Sequence, residues 1–77
     1  MDRLIAAEVF SDVAITQSFT DTAERLAMSR PMVTRYVETM ETWLGARLFN
    51  RTTRKVSLTS AGEQYLIGVN TWLEQAK

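Results

Sequence analysis

Residues 18–59 read SFTDTAERLAMSRPMVTRYVETMETWLGARLFNRTTRKVSLT, and this stretch decides the fold. Thr20 is suited to cap a helix over about 21–27, with Asp21 and Glu24 near its positive end. Met28-Ser29 makes a tight break. Ser29 can cap the next helix, Pro31 falls in its first turn where a missing N–H is harmless, and Gly45 supplies a left-handed stop after Leu44. Val33, Val37, Met40 and Leu44 form a buried stripe on that helix, with Trp43 at its edge. The period then changes. Leu48, Phe49, Val56 and Leu58 partly alternate with polar residues around a basic segment, Asn50 to Lys55, which predicts a two-stranded hairpin. So small a hairpin must pack on the helices to be stable. Helix, tight turn, helix, then a basic hairpin is the order of a mainly α winged helix-turn-helix, whose second helix enters the DNA major groove.

Outward from this stretch, Ile5, Val9, Phe10 and Val13 give an apolar stripe for a first helix over about 2–15. Ala23, Leu26 and Ala27 are expected to face inward from the short second helix. Beyond the hairpin, either Thr59 or Ser60 starts a last helix; Ser60 with Glu63 has the spacing of a capping box. Leu66, Val69, Leu73 and Ala76 recur along it at spacings of three and four, with Tyr65 and Trp72 as an adjacent row. The architecture expected is a three-helix core, a two-stranded wing and a C-terminal linker helix. Residues 1–59 form the winged domain, with the helix-turn-helix at about 19–38 and the wing at about 46–58; residues 60–77 form the linker.

The composition fits one small domain of 77 residues with enough Ile, Leu, Val, Phe, Met and Trp for a core. Cys and His are both absent, so thiolate and imidazole chemistry is excluded. No cofactor and no metal is expected. An enzyme would have to rest on carboxylates, Ser or Lys, and none of these is clustered with a partner. No apolar run is long enough to cross a membrane, and MDRLIAAEVF lacks a signal-peptide core, so a cytoplasmic location is the expectation.

Net charge is zero, but it is unevenly distributed. Residues 1–24 set Arg3 against Asp2, Glu8, Asp12, Asp21 and Glu24, a net −4. Residues 25–55 set Arg25, Arg30, Arg35, Arg47, Arg51, Arg54 and Lys55 against Glu38 and Glu41, a net +5. Nucleic-acid binding requires a local basic footprint rather than a high overall pI. Arg30, Thr34 and Arg35 are the base-edge candidates. Pro31 and Met32 either touch a thymine methyl or, for Pro31, simply start the helix. Ser18, Thr20, Thr22 and Ser29 lie at helix N-termini suited to phosphate. Arg51, Thr53, Arg54 and Lys55 are wing candidates, Arg54 for the minor groove or its phosphates and Arg51 alternatively structural. Met28, Met40, Trp43 and Phe49 read as core. A winged helix that binds only protein is the rival reading, and its binding would not fall steeply with salt.

These residues resemble the N-terminal domain of the LysR-type transcriptional regulators. The resemblance runs through Phe10 and Val13, Ser18-Phe19, Ala23-Glu24-Arg25-Leu26, Ser29, Pro31, Val33 and Arg35. It continues through Glu41, Leu44-Gly45, Arg47-Leu48-Phe49, Arg51, Leu58-Thr59 and Ala61-Gly62, and covers essentially the whole chain. It implies sequence-specific binding of double-stranded DNA, a homodimer paired through the last helix, and a higher oligomer as an option in an intact regulator. It also implies a larger C-terminal effector-sensing region, which these 77 residues do not contain, and an effector ligand only where that region exists. The expectation is then either an excised DNA-binding domain or a truncated gene product, and an end within a helix at Ala76-Lys77 favours the first. The dimer seam is expected at Tyr65, Leu66, Val69, Trp72, Leu73 and Ala76. Three residues depart from the family pattern: Gln17 stands where Gly is usual, and Arg30 and Tyr36 stand where Gln is common.

Overall fold

A computed structural model describes residues 2–51 and 56–76, with Ala76 described through its backbone alone. Four helices and one hairpin follow in the order α1 (Arg3–Thr16), α2 (Phe19–Arg25), α3 (Arg30–Leu44), β1 (Phe49–Arg51), β2 (Val56–Leu58) and α4 (Ser60–Ala76). The two strands are antiparallel, pairing Phe49 with Leu58, Asn50 with Ser57 and Arg51 with Val56.

α1 begins at Asp2, whose carboxylate accepts from the Leu4 N–H at 2.8 Å and the Ile5 N–H at 3.3 Å. It contributes Ala6, Val9, Phe10 and Val13 to the core cluster, with Ala7 and Asp12 also buried. The expected Ile5 is instead 37% exposed. Positions 6, 9, 10 and 13 lie on one line of the helix, and Ile5 falls at its flank. α1 stops at Gln17, a left-handed residue with φ 57° whose N–H returns to the Val13 carbonyl at 2.8 Å.

α2 starts two residues earlier than its sequence indicates. Ser18, not Thr20, is the N-cap and accepts from the Asp21 N–H at 3.1 Å. Phe19 is thereby drawn into the helix and into the core. At the other end, the Met28 N–H reaches the Ala23 carbonyl at 3.0 Å and the Ala27 N–H the Glu24 carbonyl at 3.3 Å. This is a Schellman closure, and it puts Ala27 in the left-handed region at φ 53°. Ala27 is therefore exposed at the turn and does not line the interface expected of it.

α3 follows its sequence signals closely. Ser29 caps it, Pro31 lies in its first turn, and Gly45 closes it at φ 65°. Val33, Val37 and Met40 are buried, and Leu44 packs beside them partly buried. Trp43 is not core: it is 44% exposed, with the Arg3 guanidinium 5.2 Å above its ring.

Phe49 is the aromatic centre of the domain. It sits 5.4 Å from Phe10 of α1 and 6.1 Å from Phe19 of α2, both in tilted or edge-on contact. Such pairs contribute about 0.5–1.5 kcal/mol each beyond the area they bury. The wing is thus pinned to two helices by one side chain.

α4 closes over the base of the wing. Thr59, not Ser60, is its cap: the Thr59 hydroxyl accepts from the Gly62 N–H at 2.9 Å and donates to the Arg47 carbonyl at 2.6 Å. The Thr59 N–H reaches the Leu48 carbonyl at 3.0 Å. Gly62 is required by this approach, because a Cβ there would drive into the Leu48 carbonyl oxygen and lie 2.9 Å from Leu58 Cδ2. Further along, Leu66 and Val69 pack on the core, and Leu73 is only 8% exposed beside α1 and Leu26. A hydrogen bond from the Ser11 hydroxyl to Asn70 Oδ1, 3.0 Å, joins α1 to α4.

Two sets of variants test these backbone constraints. Gly62→Ala should destabilise by about 1–3 kcal/mol in urea unfolding, because the overlapped atom is backbone and cannot swing away. Gln17→Gly and Ala27→Gly should each stabilise by up to about 1 kcal/mol by removing a Cβ from a left-handed residue. Loss of stability in both of these would contradict the αL assignments.

Candidate DNA interface

The core stripe of α3 leaves the opposite side of that helix open. Because successive residues turn by roughly 100°, Pro31, Arg35, Glu38 and Thr42 run along the middle of the open side, with Arg30 and Thr34 beside them. Arg30, Pro31, Met32 and Arg35 are exposed and Thr34 is half-buried. The five base-edge candidates thus lie on the first two turns of one helix. Arg30 and Arg35 make no ion pair with another described residue. Their guanidinium groups are accordingly available to an outside acceptor, and a planar fork suits guanine or phosphate.

Two other arginines of the basic segment, Arg25 and Arg51, are engaged within the fold. Arg25 Nε donates to Asp12 Oδ1 at 3.0 Å and ties α2 to α1. Asp12 Oδ2 is buried without a partner among the described residues. Arg51 lies between an aromatic ring and two carboxylates. Its guanidinium is 5.1 Å from the Phe19 centroid, donates to Glu41 Oε1 at 3.3 Å, and has Glu38 Oε2 3.9 Å away. Glu41 uses its second oxygen to accept the Leu48 N–H at 2.8 Å. One carboxylate on α3 therefore fixes both the entry to the wing at Leu48 and, through Arg51, the far end of β1. Of the two roles open to Arg51 in the sequence, its contacts are those of a structural residue.

The hydroxyl candidates also divide. Thr22 is fully buried and shares a 2.9 Å hydrogen bond with Thr16 Oγ1, so it cannot reach a phosphate. Its expected role is corrected: it seals the α1–α2 corner, where Thr16 also bonds the Ser18 backbone in both directions. Ser18 and Ser29 are engaged as caps, Ser29 accepting from the Met32 N–H at 3.3 Å. Thr20 is exposed beside them. Thr53, Arg54 and Lys55 lie outside the described residues.

The aromatic row on α4 separates from the aliphatic row. Leu66 and Val69 are half-buried against their own domain and Leu73 is buried, so a single copy already covers much of the aliphatic part of the expected seam. Tyr65 and Trp72, 39% and 43% exposed, form one exposed row, Ile67 is exposed on the other flank of the helix, and Gly68 has open space around it. The Ala76 side chain lies outside the described residues. Helical spacing alone could not assign the two rows, because spacings of three, four and seven all keep residues on one side of a helix.

Residues 4–63 match the family described as "Bacterial regulatory helix-turn-helix protein, lysR family". The chain belongs to the lysR family. Among curated proteins it is similar to the HTH-type transcriptional regulator CrgA of Neisseria meningitidis, at 49% identity over 57 residues, which is 74% of this chain and 19% of that protein. It is also similar to an HTH-type transcriptional repressor of Pseudomonas aeruginosa, at 40% identity over 97% of this chain and 24% of that protein. The chain thus spans about a fifth to a quarter of the length of these relatives. Among solved structures, CbnR_DBD in a DNA complex superposes with a TM-score of 0.93 at 33% identity, over 99% of this chain and 86% of that one. Corynebacterium glutamicum OxyR gives 0.91 at 34% identity, over 95% of this chain and 23% of that one. The winged helix-turn-helix architecture expected from the sequence is the one found.

The Glu41–Arg51 clasp gives a test that separates anchoring from DNA contact. Glu41→Ala should cost about 2–3 kcal/mol in urea unfolding, since the Leu48 N–H and Arg51 both lose a charged acceptor. Arg51→Ala should cost about 1 kcal/mol and leave the salt dependence of DNA binding unchanged. A fall of about one in that slope would instead make Arg51 a phosphate contact.

Proposed function

We propose that this chain is the DNA-reading part of a bacterial transcriptional regulator, binding double-stranded DNA sequence-specifically as a homodimer in the cytoplasm and carrying out no catalysis itself. Residues 1–59 form the reading unit and 60–77 the linker through which two copies pair. The observation that carries the proposal is the open face of α3, where Arg30, Pro31, Thr34 and Arg35 are presented together on a helix held from behind by Val33, Val37 and Met40. The close likeness to CbnR_DBD in its DNA complex supports it.

Docked in the major groove by its first two turns, α3 brings Arg30 and Arg35 to base edges, where a guanidinium pairs with guanine O6 and N7. Pro31 and Met32 supply apolar contact for a thymine methyl. Thr20 is placed to bond a phosphate beside the groove. Wing contacts from Thr53, Arg54 and Lys55 add affinity and register, and are proposed from their sequence alone.

Dimerisation is proposed through the outer face of α4. Tyr65 and Trp72 are one heptad apart with Gly68 between them, a surface that lets a second helix approach closely. Two paired copies would present two α3 helices to a roughly palindromic site.

Three measurements test this reading. Neutralising about six phosphates per dimer should make log K fall against log salt with a slope near −5; a flat response would point to a protein partner instead. Arg30→Ala or Arg35→Ala should cost about 1–3 kcal/mol on a selected site and relax one position of it, whereas Arg54→Ala should weaken all duplexes evenly. Trp72→Glu should convert a sedimenting dimer to a folded monomer. Val69→Glu should instead lower stability, because Val69 packs inside its own domain. A wild-type monomer at micromolar concentration would remove the dimer.

A further inference from the structure

The middle of the open face of α3 holds an acidic residue. Glu38 follows Pro31 and Arg35 along that face, and its side chain is 61% exposed. It borders the same shallow surface depression as Ser29, Pro31, Met32 and Arg35. The fold makes little use of it. Its contact with Arg51 is long, 3.9 Å, and Arg51 already has a closer partner in Glu41 at 3.3 Å. Exposed pairs of that kind add little to stability. The Thr42 hydroxyl bonds the Glu38 backbone carbonyl at 3.0 Å and leaves the carboxylate untouched.

We propose that Glu38 is a specificity-determining residue, taking the N4 amine of a cytosine and disfavouring other bases at that position. The inference rests on the DNA-reading function proposed above. An ionised carboxylate only accepts hydrogen bonds. Guanine and thymine edges in the major groove offer it acceptors, and adenine places its N7 acceptor beside its amine. Cytosine alone presents an amine without a neighbouring ring acceptor. Glu38 lies about 4.5 Å along the helix beyond Arg35, comparable with the base-pair rise of about 3.4 Å. It therefore addresses a pair next to the one under Arg35. Elsewhere on a duplex its charge meets acceptors and phosphates, and binding to random sequence is reduced. One residue then raises affinity for the chosen site relative to all others.

The test is selection from a random duplex library by the 77-residue chain and by Glu38→Ala and Glu38→Gln, with thermal melts to verify folding. Wild type should select cytosine at one position beside the Arg35-dependent one. Glu38→Ala should lose that preference by about tenfold while binding random duplex several-fold more tightly. Glu38→Gln should move the preference at that position towards adenine, which an amide can pair in bidentate fashion. If wild type selects sites and Glu38→Ala keeps every base preference, the inference falls and the DNA-reading function stands. If wild type binds duplexes with no base preference at all, both fall together.

Discussion

Everything in this domain depends on burying Leu48 and Phe49, two consecutive residues at the mouth of a short hairpin. Neighbouring side chains on an extended chain point to opposite sides, so burying both requires protein on both sides. Phe49 is covered by the rings of Phe10 and Phe19. The backbone at Leu48 is covered by the first turn of α4, which approaches so closely that position 62 has no room for a side chain beyond hydrogen. A two-stranded hairpin has little stability of its own. Here it is held because its entrance is the place where α1, α2 and α4 converge, and because Glu41 of α3 bonds the Leu48 N–H.

That arrangement explains how a chain of zero net charge can present a basic face. The carboxylates are not distributed at random around the cations. Asp12 holds Arg25, Glu41 holds Arg51, and the two arginines on the open side of α3 have no described carboxylate paired with them. An arginine held by a buried or half-buried carboxylate is a strut. An arginine on an open helix face retains five donors for a partner. The difference lies in what folds beside each residue, Glu41 beside Arg51 and no described carboxylate paired with Arg35.

α4 illustrates the same division on apolar surface. Its aliphatic row completes the core through Leu66, Val69 and Leu73, and the Ser11–Asn70 bond joins it to α1 at the surface. The aromatic row remains outside. The inner row packs on the core that α1 shares with α2 and α3, and Asp12 ties α1 to α2, so the placement of α4 is coupled to the helix-turn-helix through one core. A partner helix against the outer row would then set the distance between two reading helices without further hinges.

The sequence by itself determined the succession of elements, the capped start and glycine stop of α3, the basic segment and the family. These are local properties: a proline in a first turn, a serine three residues before an amide, a change of period from helix to strand. Local signals also misplaced particular residues, in most cases where another segment of the fold intervened. Thr20 looked like a cap until Phe19 was required in the core, which moved the helix start to Ser18. Ala27 looked inward until the Schellman closure turned it out. Thr22 and Arg51 have the chemistry of phosphate ligands, and only the tertiary structure supplies Thr16 to one and Glu41 to the other. The stripe of α3 already put Glu38 off the buried side, and the structure adds that Arg51 takes its closer partner in Glu41 and leaves the Glu38 carboxylate largely exposed. Periodicity can count the apolar rows of a helix such as α4, but burial is a relation between segments, and only the packed structure decides which row the domain covers for itself.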